Sequence, residues 1–339
     1  METKIIKVND ANDTDKLTVV ADILKTGGVV AIPTETVYGL AASALDDSAI
    51  SAVFAAKGRP QDNPLIVHID SLDMLPFVAK DIPKSAYALA ENFWPGPLTM
   101  VLKKTDNICE SVSRGLDTVA VRMPSDSIAN KIITLSGLPL AAPSANISGR
   151  PSPTTAAHVI EDLSGKIDAV VSAYDCTVGV ESTVVSLVGK TPRLLRPGAI
   201  TAEQLSSVLG EVEIDSAVLK ELKEGQKAAS PGMKYKHYAP CATVYLVEGS
   251  SDKFAEFVNG KADAVAVGFS EDKNITIPFI AYGSKKQEIT LAQNLFKVLR
   301  DIDKKGYKTA FVHAPSKNGV GLAVYNRLIR AAAFRVIEL

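Results

Sequence analysis

The stretch Val29-Val30-Ala31-Ile32-Pro33-Thr34-Glu35-Thr36-Val37-Tyr38-Gly39-Leu40 decides how this chain folds. It begins as a short apolar, β-branched run of the kind buried inside a sheet. Pro33 ends that run, and the hydroxyls of Thr34, Thr36 and Tyr38 follow beside Gly39. Hydroxyls and a glycine at a strand end either line a polar pocket or serve as turn chemistry, with the glycine supplying positive φ. For this segment alone both readings stand.

The same unit repeats outward from it. Upstream, Thr14 to Lys25 sets Leu17, Val20, Ala21 and Leu24 at helical spacing before Gly27-Gly28. Downstream the spacing predicts helices over 47–56 and 85–93, with strands over 65–69, 98–102, 118–121 and 138–142. A threonine-capped helix over 154–163, strands over 169–172, 182–187 and 193–195, and a capped helix over 201–209 complete this rhythm. Residues 211–240 are polar and interrupted and read as a linker. From Ala242 a second rhythm begins, with strands over 243–247, 262–267, 275–282 and 309–313 and helices over 252–259, 290–302 and 321–333. Strands alternating with helices predict an α/β protein whose second unit has a largely parallel sheet. The expected division is 1–210, a linker over 211–240, and 241–339.

Composition narrows the function. A chain of 339 residues fits two domains better than one. With 37 basic and 38 acidic residues the net charge is −1, which supplies no overall field for gripping nucleic acid. Cys109, Cys176 and Cys241 are far apart and form no CxxC pair, so neither a disulfide framework nor zinc is expected. Sparse cysteine, the lack of a signal-peptide core and the lack of a bilayer-spanning apolar run predict a cytoplasmic protein without membrane contact.

No phosphate loop, well-placed GxGxxG, serine elbow or zinc signature occurs, so any nucleotide must be held in another way. Cations instead recur next to apolar strands. Lys57-Gly58-Arg59 follows a helix, Arg122 ends Thr118-Val-Ala-Val, Arg150 sits in the loop 142–154, and Arg196 ends another strand. Each has an ordinary explanation. Lys57 and Arg59 complement a helix C-terminus, Arg122 meets an internal carboxylate, and the Ser, Asn, Gly and Pro of 142–154 are turn residues. Together they predict one anion-holding cleft, suited to a triphosphate of about −4 charge. Among the histidines, His158 is expected on a solvated helix, His313 has no assigned role, and His68 reads as a core histidine bonded to backbone.

Eight strings then carry a resemblance: PTETVYGL (33–40), KGRPQDNPLIVHI (57–69), WPGPLT (94–99), VAVRMP (119–124), APSANISGRPSPT (142–154), GVESTVV (179–185), LLRPGAI (194–200) and SPGMKYKHYAP (230–240). With them the chain resembles the threonylcarbamoyl-AMP synthase family in its two-domain form. That resemblance implies a YrdC-like twisted mixed sheet with helices, followed by a smaller Rossmann-like α/β domain. It implies synthesis of threonylcarbamoyl-adenylate and pyrophosphate from L-threonine, bicarbonate and ATP, for the t6A modification of tRNA. Threonine is then expected near Thr34, His68, Arg122 and Ser182, with Tyr38 shaping the pocket. ATP is expected against Lys57, Arg59, Thr118, Ser144, Asn146, Arg150 and Arg196, with Tyr235 reaching back from the linker as part of a lid. Lys57 and Arg59 would offset charge as pyrophosphate leaves. Mg²⁺ is expected on the phosphates rather than in a protein site, and a tRNA-modifying transferase is expected downstream, with at most weak tRNA contact. Two rival readings are an RNA-binding module and a carbamoyltransferase with a similar adenylate site.

Overall fold

The computed structural model describes residues 2–60, 63–220 and 238–339 and contains two sheets, each flanked by helices. The first sheet has twelve strands among the described residues: β1 (Lys4–Lys7), β2 (Val30–Ile32), β3 (Gly39–Ser43), β4 (Ile66–His68), β5 (Ala79–Lys80), β6 (Leu98–Lys104), β7 (Thr118–Arg122), β8 (Leu140–Ala141), β9 (Ala169–Ser172), β10 (Thr183–Ser186), β11 (Arg193–Arg196) and β12 (Glu213–Ile214). In space they run β1-β9-β2-β3-β8-β4-β7-β6-β10-β11-β12, with β5 paired to β6. Parallel pairs such as β4 with β7 alternate with antiparallel ones such as β6 with β7, so the sheet is mixed. The second sheet is all parallel in the order β15-β14-β16-β13-β17, from β13 (Thr243–Glu248), β14 (Ala264–Phe269), β15 (Phe279–Gly283), β16 (Thr309–His313) and β17 (Val336–Glu338).

Register builds the site. β4 and β7 place His68 opposite Arg122, and the antiparallel β6 places Thr99 on the other side of Arg122. The parallel pairing of β6 with β10 brings Ser182, just before β10, beside Thr99. Antiparallel β11 then sets Arg196 against Val184. Five segments far apart in sequence thus end in one row at one end of the sheet.

Along β7 the pleat separates two faces. Val119 and Val121 enter the main core with Val67, Met100 and Leu102. Ala120 joins Ile66, Val101, Val184 and Leu195 in a small apolar patch on the site face, covered by Ala217. The second unit's core takes in Val37 and Val180 from the first, so the two units share apolar packing.

The structure adds elements that the spacing did not predict. Residues 127–136 form the helix Ser127–Ser136, with the Asp126 carboxylate capping the Ala129 N–H and Gly137 closing it at φ 66°. Residues 39–43, read as a glycine turn, form β3. The stretch 211–220 is more than a connector: β12 pairs with β11, and a 3-10 turn over Ser216–Val218 lies against the sheet. No helix among the described residues is long and apolar enough to cross a membrane.

Candidate functional site

Thr34, Thr36, Arg59, His68, Arg122, Ser144, Glu181, Ser182, Arg196 and Tyr238 surround one cavity at the end of that row. The loop after β2 supplies Thr34, whose hydroxyl donates to the Val37 carbonyl at 2.6 Å and lies 2.9 Å from the Thr36 hydroxyl. Arg122 enters from β7. Its Nη1 donates to Thr36 at 2.8 Å, its Nε donates to the Gly96 carbonyl at 3.2 Å, and its Nη2 lies 2.7 Å from Glu35 Oε2. That last contact is a buried ion pair whose two atoms are without an aligned hydrogen bond. His68 Nδ1 is likewise buried without a hydrogen-bond partner among the described residues. Unused polar atoms in a buried position cost stability unless a ligand or water meets them. They therefore point to a binding site.

On the far wall, the Ser182 hydroxyl lies 2.7 Å from the Thr99 hydroxyl and accepts from Arg196 Nη2 at 3.1 Å. Arg196 Nε also donates to the Ser182 carbonyl at 3.0 Å. Burial lowers the Arg196 guanidinium to about 10, which still leaves it a cation at neutral pH. Burial, and then the Arg122 charge, push His68 down to about 3, so its ring is neutral. Burial favours protonation of Glu35, but the Arg122 charge and hydrogen bonds outweigh it and hold the carboxyl below its usual range. Glu181 follows the same pattern, with the Arg327 and Arg196 charges outweighing burial.

Of the residues expected here, Thr34, Arg59, His68, Arg122, Ser144, Ser182 and Arg196 line the cavity together. Arg122 also meets the internal carboxylate expected of it, so its charge is largely offset by Glu35. Lys57 and Asn146 lie behind the wall. Lys57 Nζ donates to the Ser144 and Asn146 carbonyls, the latter at 2.7 Å, and among the described residues its hydrogen bonds stay within that loop. Burial and the nearby Arg59 charge lower its pKa well below the usual lysine value. Asn146 Oδ1 accepts from the Ser144 hydroxyl at 2.6 Å, and its amide donates to the Ile147 and Arg150 carbonyls. These two residues shape the Ser144 loop rather than face the cavity.

Three further expected residues stand apart from the cavity lining. Tyr38 is buried behind the wall, where its hydroxyl donates to the Tyr174 carbonyl at 3.1 Å. Arg150 points away and pairs with Asp162 at 3.0 Å, because that buried carboxylate also binds Arg300 of the second unit. Thr118 shares the site face with Arg122 but stands at the opposite end of β7, beyond the patch under Ala217, where it lines a separate cavity of about 490 Å³. Tyr235 and most of the expected lid lie outside the described residues. His158 is buried, not solvated, and burial lowers it to about 4. Thr36, whose hydroxyl the sequence offered for a polar pocket, lines the cavity, whereas Glu35, Glu181 and Tyr238 were missed as site residues. Glu35 carried one signal: a buried arginine needs a carboxylate, and the hydroxyl-rich loop held one.

Fold and cavity define an α/β site for a small anionic ligand, held by arginines and hydroxyls at strand ends without a phosphate loop. The Sua5–YciO–YrdC family model, described as telomere recombination, matches residues 22–198, and the model for the threonylcarbamoyl-AMP synthase C-terminal domain matches residues 200–333. The chain is 46% identical to a threonylcarbamoyl-AMP synthase of Pyrococcus abyssi, over 99% of this chain and 100% of that one. It is 42% identical to the Bacillus subtilis protein of the same name, over the full length of both. A crystal structure of Pyrococcus abyssi Sua5 complexed with L-threonine superposes with a TM-score of 0.91 at 44% identity, covering 99% of this chain and 100% of that chain. The chain belongs to the threonylcarbamoyl-AMP synthase family.

Proposed function

We propose that the cavity bounded by Thr34, Arg122, Ser182 and Arg196 is where this enzyme joins L-threonine, bicarbonate and ATP into threonylcarbamoyl-adenylate and pyrophosphate. The family makes the chain an ATP-dependent, adenylate-forming transferase of tRNA modification. One observation carries the placement: three arginines and a cluster of hydroxyls from segments far apart in sequence converge on one cavity.

Arg122 takes the threonine carboxylate, and the neighbouring hydroxyls of Thr34 and Ser182 take its polar groups. A pocket built for the side-chain hydroxyl rejects amino acids that lack it, because its own polar atoms would be left unpaired. Arg59 and Arg196 face the phosphates, with Lys57 holding the Ser144 loop in place behind them. The threonine amine forms an N–C bond to CO₂ and gives up a proton to solvent, or forms it to bicarbonate with a C–O bond broken and water released, to give a carbamate. A carbamate oxygen then attacks the α-phosphorus, an O–P bond forms, and the bond from that phosphorus to the bridging oxygen of pyrophosphate breaks. The protein contributes position and charge. Mg²⁺ travels on the phosphates, since among the described residues the carboxylates nearest the cavity, Glu35 and Glu181, are each already paired with an arginine. An unstable adenylate calls for a downstream transferase that passes the threonylcarbamoyl group to tRNA. The two units, divided at the linker 211–240, act as one enzyme in this reading.

Incubating the protein with ATP, Mg²⁺, bicarbonate and threonine should release pyrophosphate and give the adduct by mass spectrometry. Equal pyrophosphate release without threonine would remove the substrate assignment. A salt-dependent shift of tRNA with no ATP turnover would favour an RNA-binding module instead.

A further inference from the structure

We propose that Arg327, on the helix Gly319–Ala331 of the second unit, is a positioning residue for the phosphate-facing wall of the cavity. Arg327 is fully buried. Its Nε donates to Glu181 Oε2 at 2.9 Å, its Nη2 to the Glu181 carbonyl at 3.1 Å, and its Nη1 to the Pro197 carbonyl at 2.5 Å. Glu181 immediately precedes Ser182, and Pro197 immediately follows Arg196. One guanidinium therefore ties together the two strand ends whose next residues form the wall.

Those ends sit very close. A Cβ on Gly198 would meet the Thr183 nitrogen at 2.4 Å, so a small displacement of either strand is transmitted to the other. The second carboxylate oxygen of Glu181 accepts from Ser152 at 2.5 Å, which links the same clamp to the loop that carries Ser144. Tyr238 lines the cavity with its ring 6.0 Å from the Arg327 guanidinium carbon. The charged groups acting on Glu181 are thus Arg327 and Arg196, with Tyr238 and Lys57 nearby. A buried ion pair at a domain contact is often only structural, and removing one partner destabilises by leaving the other charge uncompensated. The multiple bonds to residues adjoining Ser182 and Arg196 give this pair a second role: it sets where the cavity's hydroxyl and cation stand. The proposal rests on that cavity being the ATP site.

The test uses the full-length protein as wild type, Arg327→Lys, Arg327→Met and, as a stability control in the second unit's core, Val312→Ala. Pyrophosphate release is followed against ATP and pH, and ATP affinity is measured separately by calorimetry. Arg327→Lys keeps the charge but cannot hold all three bonds, so KM for ATP should rise about tenfold while kcat stays within a few fold. Arg327→Met should raise KM further and move the acid limb of kcat/KM to higher pH, because Glu181 loses the cation that holds its carboxyl down. Val312→Ala should lower Tm yet leave KM and the acid limb in place. Wild-type KM, affinity and acid limb in both Arg327 variants would overturn the proposal, as would the same KM rise in Val312→Ala. If Arg327→Met does not fold, Arg327→Lys decides by the same criteria. If the wild type releases no pyrophosphate, the reaction assigned to the cavity fails, and the calorimetric ATP affinities alone decide the role of Arg327.

Discussion

A guanidinium stays charged even when buried, so at the end of an interior strand it needs partners, and Arg122 has both a carboxylate and a hydroxyl. Its planar fork reaches Thr36, Gly96 and Glu35 at once. Lysine carries the charge but not the fork. Arg122→Lys should therefore lower kcat/KM for threonine by about 100-fold, or about 3 kcal/mol, in steady-state pyrophosphate assays. Glu35 and Glu181 also predict an acid response. Both carboxyls are held low in the folded chain, so the unfolded chain binds more protons in acid. Stability present at neutral pH should be lost as pH falls from about 4.3 through the lower folded values. Thermal melts from neutrality to pH 3 should show this loss, and Glu35→Gln should make it shallower. Residue chemistry was partly legible. That Arg122 needs a buried anionic partner follows from its strand, but that the partner is Glu35 depends on a loop folding back from 87 positions earlier.

Strand pairing turns these side chains into a row. Thr99 meets Arg122 through β6 and β7, and Ser182 meets Thr99 across 83 positions of sequence. Apolar runs bounded by glycine and proline announced β2, β6, β7, β9 and β11, because such runs carry their own signal. Register carries none, since it is fixed by which strands pair and in which direction. That is why the sequence does not tell that Thr118, expected against ATP by resemblance, stands at the other end of β7 from Arg122. It is also why β3, written as Gly-Leu-Ala-Ala-Ser, passed for a turn: its glycine allows the Ser144 segment to approach closely. Close approach can be tested at Gly198. A methyl group there would lie 2.7 Å from the Thr183 hydroxyl and 2.8 Å from the Ser182 carbonyl carbon. Gly198→Ala should cost about 1–3 kcal/mol of stability by denaturant unfolding. It should also reduce turnover, because Ser182 and Arg196 would move.

The two units behave as one molecule because each supplies what the other leaves exposed or uncompensated. Val37 and Val180 enter the second unit's core, and Asp162 of the first unit is held by Arg300 of the second at 2.8 Å. Gly179 marks the tightest approach. It has φ 83°, and a Cβ there would lie 2.4 Å from the Gln293 Cα and 2.5 Å from the Ala292 carbonyl oxygen. Gly179→Ala should push the helix Glu288–Lys304 outward. Tm should fall, and hydrogen exchange should quicken in that helix more than in β6 and β7, whose pairing is untouched. In the sequence, Arg300 and Arg327 look like any helix cation, since nothing local shows that the opposite unit buries a carboxylate against them. The rhythm of the second unit was legible. Its purpose was not.

The clamp at Glu181 also bears on when the protein becomes competent during its own synthesis. Arg327 is translated 146 positions after the carboxylate it neutralises, so a nascent chain can complete β10 and β11 while the guanidinium is still unmade. Until the helix that carries it emerges and docks, the Glu181 carboxylate has only Arg196 and Ser152 to offset its charge, in the cavity proposed for ATP. On the proposed ATP site, the growing chain should gain its affinity for nucleotide late, in the step that joins its halves.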